Sequence, residues 1–570
     1  MGEVAVGAVM LDAFFESYYR LRPVNATFTG IHEHDHRLPD WSPDGLASAV
    51  DEMLALRSAL VSAQRPGATL RDVDERDREL AMAFLDVQIA EHESGHFQRA
   101  NPSLAAGEAI FGTIALMTRP FAGIGDRAGA AIARLTAVPA FLEGARQSIT
   151  TPVLDEWRLK CLRECDGAAH LLRDGIPRWI ALEGIDDSQA DRLTRAGERA
   201  GAAFESFRGW LERGSGPPAG GPAEPQSHDE NHRYACGPEL FDLLLTRGHW
   251  CDRPRIALAA EAQQALDEAL EQLHTRARTI APGGWPEVQQ RLMSAHPAPG
   301  DYLPAYQRAW DACRERTQAR DLVTWPDSPL RYVPIPIHTR GAAPFLYYLH
   351  YRSPAPFDRL PMHDYVVTPI EPDLSPDEQL RRLRATNMSV IRLNHVVHHG
   401  AIGHHVQNYY AYAGASAIGR VAAVDCASRI GMFQGGTMAE GWACYATDLM
   451  DEVGFFTPEE SLAQQHTRVR LLARAVVDIG LHERSLTFED AVAVYRDRVG
   501  MSPDAARGEA CKNSMFPGTA LMYWLGTDAL HRLRRDRQRI EGASFSLGRF
   551  HDRLLGFGSI PVPLVAELMS

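Results

Sequence analysis

Long stretches of helical periodicity constrain the fold of this 570-residue chain more than any other feature. Residues 71–93, 187–213 and 258–280 place apolar side chains every three to four positions among charged ones, which is the pattern of amphipathic helices. Strand patterns are scarce. Residues 330–337 alternate, but two prolines make them an edge strand at most, and 366–370 is a second short candidate. The sequence therefore predicts a mainly α fold with a few short strands.

A Gly/Pro-rich segment at residues 214–231 interrupts the helical pattern. Glycine and proline at this density prevent regular helix or strand, so the segment is either a linker between lobes or a surface loop. We expect an N-terminal helical region at residues 1–213 and a second helical region at residues 232–570, packed together as one unit. Hydrophobic residues make up 45 % of the chain, which is enough for a large buried core.

The net charge of −14 excludes the usual nucleic-acid-binding classes, which need clustered Lys and Arg. The sequence shows no apolar stretch of about 20 residues, so no membrane span is expected, and its first residues carry no basic region of a signal peptide. Its eight cysteines are scattered, which fits reduced thiols in a cytoplasm. We expect a cytoplasmic protein with no nucleic-acid or membrane partner, and the sequence leaves the oligomeric state undefined.

A histidine cluster at residues 394–407, NHVVHHGAIGHHVQ, predicts a metal site. A lone histidine is usually a core or surface residue, but five of the 23 histidines fall within eleven positions of an otherwise apolar stretch. The alternative is a polar network without a metal. The five residues are His395, His398, His399, His404 and His405.

The spacing of these histidines leaves the ligand pair open. A regular helix makes i,i+4 residues neighbours and favours His395 with His399, whereas His398 and His405 also share a face. His398 and His404 lie about 240° apart around a regular helix. They converge only where the backbone bends, and the glycines at 400 and 403 permit such a bend.

Glu440 is the candidate third ligand. Catalytic zinc usually takes three protein ligands and keeps one position open. Glu440 lies in the apolar and aromatic segment TMAEGWACYATD at 437–448, where a carboxylate needs a partner because burying an unpaired charge is costly. That partner is either a metal ion or an arginine, Arg470 or Arg474.

The segment HHGAIGHHVQ followed by AEGWACY resembles the bacterial family called domain of unknown function 885. The stretches at 22–40, 474–482 and 516–526 resemble its opening and closing motifs, so the resemblance covers nearly the whole chain. Members look like gluzincin-type zinc peptidases with a His-Glu-x-x-Pro-Gly-His segment and a later Glu-Gly-Trp segment. The resemblance implies a large gluzincin-like helical fold and a zinc ion, or another divalent metal, bound by His398, His404 and Glu440.

The chain departs from the family pattern at one catalytic position. His399 stands where the family has the glutamate that takes a proton from water and passes it to the leaving amine. A neutral imidazole also accepts a proton near neutral pH, so His399 is the candidate base. Further departures are Ile402 for proline, Thr519 for glutamine, Thr447 for a second glutamate and Lys512 for arginine.

Residues in the closing motifs are candidate supporting groups. Tyr523 is a candidate donor of a hydrogen bond to an oxyanion, with a helix-packing role as the alternative. Asp478 and His482 have i,i+4 spacing, which fits a second shell around the metal or a simple helical pair. Arg474 is the expected salt-bridge partner of Asp478. The remaining supporting candidates are His395 and His405 of the histidine cluster.

Three functions fit this sequence. The first is a metal-dependent hydrolase of a peptide or small amide, with metal-activated water and His399 as base. The second is a non-hydrolytic metalloenzyme, namely a lyase, an isomerase or an oxidative enzyme, acting on a small molecule, favoured if His399 is a ligand. The third is a binding protein with a closed, structural metal site. The expected partner is a small molecule or a short peptide.

Overall fold

A computed structural model of the chain describes residues 2–214, 232–346, 353–358, 360, 362–424 and 428–570. The predicted linker lies outside these residues from position 215 onward. Two compact units are present. The first contains the described residues up to 236 and those within 335–349 and 354–360, and the second contains the rest. The expected packing of two regions as one unit stays a prediction.

The first unit is helical, with a core between its longest helices. Its helices are α1 (Gly2–Leu21), α2 (Pro23–Thr29), α3 (Pro43–Ser62), α4 (Val73–Glu93), α5 (Pro102–Thr118), α6 (Ile124–Ser148), α7 (Asp155–His170), α8 (Ile176–Glu183) and α9 (Asp187–Glu212). Helices α5, α6, α7 and α9 pack against one another and bury a continuous cluster of Ala, Leu, Ile and Phe side chains. The predicted helices at 71–93 and 187–213 correspond to α4 and α9.

The later helices belong to the second unit, except α14. They are α10 (Pro238–Leu243), α11 (Arg255–Ile280), α12 (Trp285–Ser294), α13 (Tyr302–Ala319), α14 (Ile337–Arg340), α15 (Pro376–Ala385), α16 (Met388–Val390), α17 (His404–Ala413), α18 (Ala417–Ala422), α19 (Arg429–Phe433), α20 (Gly436–Glu452), α21 (Pro458–His482), α22 (Phe488–Ala493), α23 (Pro503–Met515), α24 (Met522–Glu541), α25 (Leu547–Leu555) and α26 (Val562–Met569). None of the described helices combines the length and the apolar character that crossing a bilayer requires.

Two strands form the described sheet. They are β1 (Leu330–Pro334) and β2 (His363–Val367), which pair in parallel. Strand β1 begins where the sequence predicted it and ends at the first proline. Strand β2 begins three residues before the predicted stretch. The mainly α fold class with a few short strands is confirmed.

Wide helical turns mark several positions in the second unit. A π-helical segment widens the helix at Leu244–Gly248, Val494–Arg498 and, over ten residues, Ile391–Gly400. The last of these carries three of the clustered histidines. Such π-helical turns are rare and occur often at functional sites.

Candidate metal centre

A sharp bend joins the π-helical segment Ile391–Gly400 to α17. The Gly403 N–H donates to the carbonyl oxygen of Val397 over 2.9 Å, which folds the chain back on itself. A Cβ atom at position 403 would lie 1.9 Å from the carbonyl oxygen of His398, so only glycine fits there. The bend brings the imidazoles of His398 and His404 to a centroid separation of 5.0 Å. A regular helix could not do this.

Two tryptophans hold the bend from outside. Trp310 of α13 donates from its indole N–H to the carbonyl oxygen of Gly400, and Trp442 of α20 donates to that of Ile402, each over 2.8 Å. Both indoles are buried. Because buried carbonyls need partners, these hydrogen bonds satisfy carbonyls that the bend removes from helical pairing.

Close packing of α20 against α24 positions Glu440. A Cβ atom at Gly441 would lie 2.7 Å from the Cα of Gly526, so the two backbones touch at this glycine pair. Thr527, next to Gly526, also donates from its hydroxyl to the carbonyl oxygen of Gly441 over 3.3 Å. Glu440 therefore projects from a rigid crossing point.

The predicted ligand atoms converge. Glu440 Oε2 lies 3.4 Å from His398 Nε2 and 3.3 Å from His404 Nε2. Ligand atoms about 2.1 Å from a tetrahedral zinc ion lie about 3.4 Å from one another. The two separations from Glu440 Oε2 therefore match those between ligands around one ion.

The same carboxylate supplies a direct test of whether a metal fits. Glu440 Oε2 is buried and has no hydrogen-bond partner among the described residues. Glu440 Oε2 lies 3.3–3.4 Å from the two imidazole nitrogens but makes no hydrogen bond to either. This arrangement is expected if the three atoms point at a common centre. Two imidazole nitrogens and one carboxylate oxygen are a donor set that suits zinc.

The protonation states suit metal binding. Burial lowers the pKa of His398, against the opposing effect of Glu440. Burial would raise the pKa of Glu440, but His404 and His398 together hold it well below its ordinary value. A ligand imidazole must be neutral and a ligand carboxylate ionised, and the lowered pKa values of His398 and Glu440 agree with these states at neutral pH.

His399 lies beside the two candidate ligand histidines. Its Nδ1 donates to the carbonyl oxygen of Asn394 over 2.8 Å, so the lone pair is on Nε2. One nitrogen from each of His398, His399 and His404 lies within 4.8 Å of the other two. Burial, together with the two neighbouring imidazoles, holds the pKa of His399 well below its ordinary value. A neutral His399 can act as a base or as a further ligand.

The other two clustered histidines face different surroundings. Nδ1 of His395 forms a hydrogen bond with the Tyr365 hydroxyl over 2.7 Å. His405 donates from Nε2 to the carbonyl oxygen of Ser328 over 2.9 Å, and burial lowers its pKa to about 4. The pairing of His398 with His404 is therefore the one that the bend produces, while His395 and His405 anchor the segment to its neighbours.

Arg474 and Tyr523 pack together near the crossing of α20 and α24. The guanidinium of Arg474 lies 5.3 Å from the centre of the Tyr523 ring. Arg474 forms a two-pronged ion pair with Glu509, with both N–O distances 2.7 Å. The expected salt bridge from Arg474 to Asp478 is therefore replaced by a pair with a residue of α23.

Asp478 and His482 brace the turn before α24. Asp478 accepts from the backbone N–H groups of Gly518, Ala520 and Leu521 over 2.9–3.0 Å. His482 Nε2 lies 3.7 Å from Asp478 and donates to the carbonyl oxygen of Asn513 over 3.1 Å. Burial raises the pKa of Asp478 to about 7, against the effect of the three amides. These two residues fix the backbone that leads to Tyr523.

Sequence reasoning missed two groups that shape the centre. Trp310 of α13 contacts the Gly400 carbonyl oxygen of the bend, and Tyr365 of β2 contacts His395, each from a distant part of the sequence. No local motif marks either residue. The alternating pattern at 366–370 predicted a strand near Tyr365, but the predicted strand begins three residues after the observed start of β2.

Comparison with known proteins identifies the family and the fold. Residues 23–569 match the family of bacterial proteins of unknown function called DUF885. No curated protein is detectably similar in sequence. A solved structure of a candidate lipoprotein of unknown function from Shewanella oneidensis superposes with a TM-score of 0.76 at 21 % identity, covering 99 % of each chain. The structure of a candidate lipoprotein from Colwellia psychrerythraea gives a TM-score of 0.75 at 16 % identity, covering 99 % of this chain and 98 % of the other.

Proposed function

This chain belongs to the DUF885 family, and we propose that it is a metal-dependent hydrolase, with zinc as the favoured ion, acting on a peptide or small amide. The observation that carries the proposal is the buried Glu440 Oε2, which lies 3.3–3.4 Å from two imidazole nitrogens and has no hydrogen-bond partner among the described residues. Under this proposal the fold is gluzincin-like, and His399 occupies the position of the family glutamate.

The chain's own residues supply the remaining chemistry. An ion held by His398, His404 and Glu440 would polarise a carbonyl group and acidify water. His399 Nε2 carries a lone pair and accepts the proton of the attacking water, then returns it to the leaving amine. The low pKa of His399 makes it a weaker base than a free imidazole, so we expect slow turnover at neutral pH. Tyr523, one turn before the Gly526 contact, is the proposed hydrogen-bond donor to the carbonyl oxygen.

Elemental analysis of zinc-loaded, buffer-exchanged protein tests the centre. We expect about one ion per chain in the wild type and loss of that ion in His398→Ala, His404→Ala and Glu440→Ala. His274→Gln is the matched control, because His274 is exposed on α11 and its loss should leave the ion in place. A wild type without bound metal after loading would sink the proposal.

A second candidate rests on the three imidazole nitrogens that lie within 4.8 Å of one another. If His399 is a fourth ligand, the centre suits a non-hydrolytic metalloenzyme or a structural metal site better than an open hydrolytic one. His399→Gln decides between the roles. A base role leaves the metal content unchanged and removes hydrolysis of a dipeptide panel, whereas a ligand role lowers the metal content.

We also propose a cytoplasmic location. All seven cysteines that the structure describes are free thiols, which fits a reducing compartment. The two similar structures are described as candidate lipoproteins, and that description favours a location outside the cytoplasm for those two proteins. Cell fractionation tests the location, and recovery of the protein with the membrane or extracytoplasmic fraction would contradict it.

A further inference from the structure

An imidazole lies between two carboxylates in the first unit. His32 follows α2, and its Nδ1 lies 2.9 Å from Asp35 Oδ2 while its Nε2 lies 2.9 Å from Asp358 Oδ1. Both carboxylate side chains are buried, with 9 % and 7 % of their surface exposed. Asp35 belongs to the same turn as His32, whereas Asp358 is distant in sequence and lies in residues 354–358, which also belong to the first unit.

The two hydrogen bonds assign a positive charge to His32. An ionised carboxylate only accepts hydrogen bonds, and a neutral imidazole carries one N–H group. Donation to both carboxylates therefore requires a proton on each ring nitrogen. Burial alone would lower the pKa of His32, but the hydrogen bonds to Asp35 and Asp358 raise it to about 9. The ring also stacks on that of Phe121, with centroids 3.7 Å apart and an angle of 8° between the planes.

A neutral His32 would serve only one of the two carboxylates, and the other would face a ring lone pair. Asp35 has further support, because it accepts from the Thr27 hydroxyl over 2.5 Å and lies 3.9 Å from Arg134 of α6. Among the described residues, the Asp358 side chain has only His32 as a hydrogen-bond partner, and its buried Oδ2 has none. An unpaired buried carboxylate is costly, so Asp358 depends on the charge of His32.

Other charged groups near the turn are directed elsewhere. Arg119, which follows α5, donates to the carbonyl oxygen of Phe28 over 2.7 Å. The remaining ionisable residues of the turn make no hydrogen bond or ion pair with the His32 ring; they are Glu33, His34, His36 and Arg37. The two carboxylates are therefore the groups that hold the proton on His32.

Residues 354–358 fit closely against the end of α2. The Phe357 N–H donates to the carbonyl oxygen of Thr29 over 3.2 Å. A Cβ atom at Gly30, the C-terminal cap of α2, would lie 2.7 Å from the backbone nitrogen of Asp358, so only glycine allows this approach. The charged imidazole therefore joins the turn after α2 to a segment that packs directly on the helix end.

We propose that His32, Asp35 and Asp358 form a proton-dependent tie, which holds residues 354–358 against the end of α2 and loosens when His32 loses its proton. A group whose pKa is raised on folding stabilises fully below its unfolded value, near 6.5, and this contribution is lost as the pH rises through the folded value. The tie therefore weakens progressively from about pH 6.5 to about pH 9, a range that includes neutral and mildly alkaline conditions.

Hydrogen–deuterium exchange of the full-length protein tests the inference, read by mass spectrometry on peptides that cover 354–358. The reporter is the Phe357 amide, which is bonded to Thr29. Exchange times are scaled for the intrinsic rate at each pH, so that protection factors are compared. We expect protection to fall about tenfold or more between pH 7 and 8.5, because opening of the tie releases close to one proton over this window.

Variants assign the pH dependence to the tie. His32→Gln removes the titrating group and should give low protection that does not change with pH. Asp358→Asn should keep the protection and remove its pH dependence, because an amide N–H donates to the unprotonated Nε2 while Nδ1 donates to Asp35. His36→Gln is the matched control in the same turn, because its side chain is exposed, and it should show the wild-type fall. Thermal melting identifies a variant that fails to fold, and the other variant then decides.

Two results would overturn the inference. One is a wild-type protection factor that stays constant between pH 7 and 8.5. The other is a fall of wild-type size in a folded His32→Gln or Asp358→Asn protein, which would assign the pH dependence to another group. The exchange experiment measures neither metal nor hydrolysis, so its outcome is independent of the function proposed above.

Discussion

Trp442 donates from its indole N–H to the carbonyl oxygen of Ile402 over 2.8 Å. One side chain of α20 therefore ties the helix that carries Glu440 to the bend between His398 and His404. The separation of Glu440 from the two imidazoles is fixed by a hydrogen bond as well as by packing.

We expect Trp442→Phe to weaken zinc binding about 10- to 100-fold, because groups that orient metal ligands typically have effects of this size. Competition with a fluorescent chelator measures the affinity. Trp285→Phe, at the half-buried start of α12, is the control and should bind zinc like the wild type. Unchanged affinity in Trp442→Phe would show that packing alone holds the centre.

Gly403→Ala should destabilise the protein by about 2–4 kcal/mol and abolish zinc binding. A Cβ atom there would lie 1.9 Å from the carbonyl oxygen of His398, so the backbone must move and separate the two imidazoles. Gly508→Ala is the control, because its Cβ meets nothing within 4 Å and alanine is the better residue in the interior of α23. Urea titration should show Gly508→Ala to be as stable as the wild type or slightly more stable.

Removing the metal should lower the stability of the wild type only. A ligand that binds only the folded state at a hundredfold excess over its dissociation constant adds about 2.7 kcal/mol to the free energy of unfolding. Glu440→Gln should not respond to zinc or to chelator. Urea titrations with and without chelator measure the difference, and an equal response of both proteins would argue against Glu440 as a ligand.

Acid should destabilise the second unit between pH 6.5 and 4. Burial lowers the pKa of His249 and of His551 to about 4, whereas an unfolded histidine titrates near 6.5. Between these values the unfolded chain binds more protons, so stability is complete above pH 6.5 and falls as the pH falls. Each residue contributes about 3 kcal/mol over this window.

His551→Gln tests this pH dependence. The Tyr445 hydroxyl donates to Nε2 of His551 over 2.9 Å, and Nδ1 donates to the carbonyl oxygen of Leu322, so a proton added at Nε2 breaks the hydrogen bond from Tyr445. The variant should show a shallower loss of stability with falling pH. His274→Gln, at an exposed position of α11, should keep the wild-type slope. Equal slopes in all three proteins would contradict the assignment.

The local sequence pattern predicted the helices well, because the hydrogen bonds within a helix join residues that are close in sequence. The stretch 258–280 anticipated α11 (Arg255–Ile280) to within three residues. Strand β2 was predicted three residues late, because pairing with β1 decides where a short strand begins. The π-helical widening at Ile391–Gly400 has no local signal in the sequence.

The candidate site was predictable only in part. Helical geometry alone favoured His395 with His399, and the family resemblance was needed to select His398 with His404. The bend that joins them depends on indoles from α13 and α20, which no spacing rule connects to the histidines. The pairing of Arg474 with Glu509 rather than Asp478 is likewise determined by tertiary contacts between helices.

The candidate centre draws two donors from one short bend and the third from a separate helix. An ion bound there would act as a reversible cross-link that closes a loop in the chain, and its stabilising effect would include the entropy lost by the unfolded ensemble. The two imidazoles alone would be a weak chelator in the nascent chain. Metal uptake and the docking of α20 against the bend would then be a single coupled event, and metal supply during synthesis would influence how much folded protein accumulates.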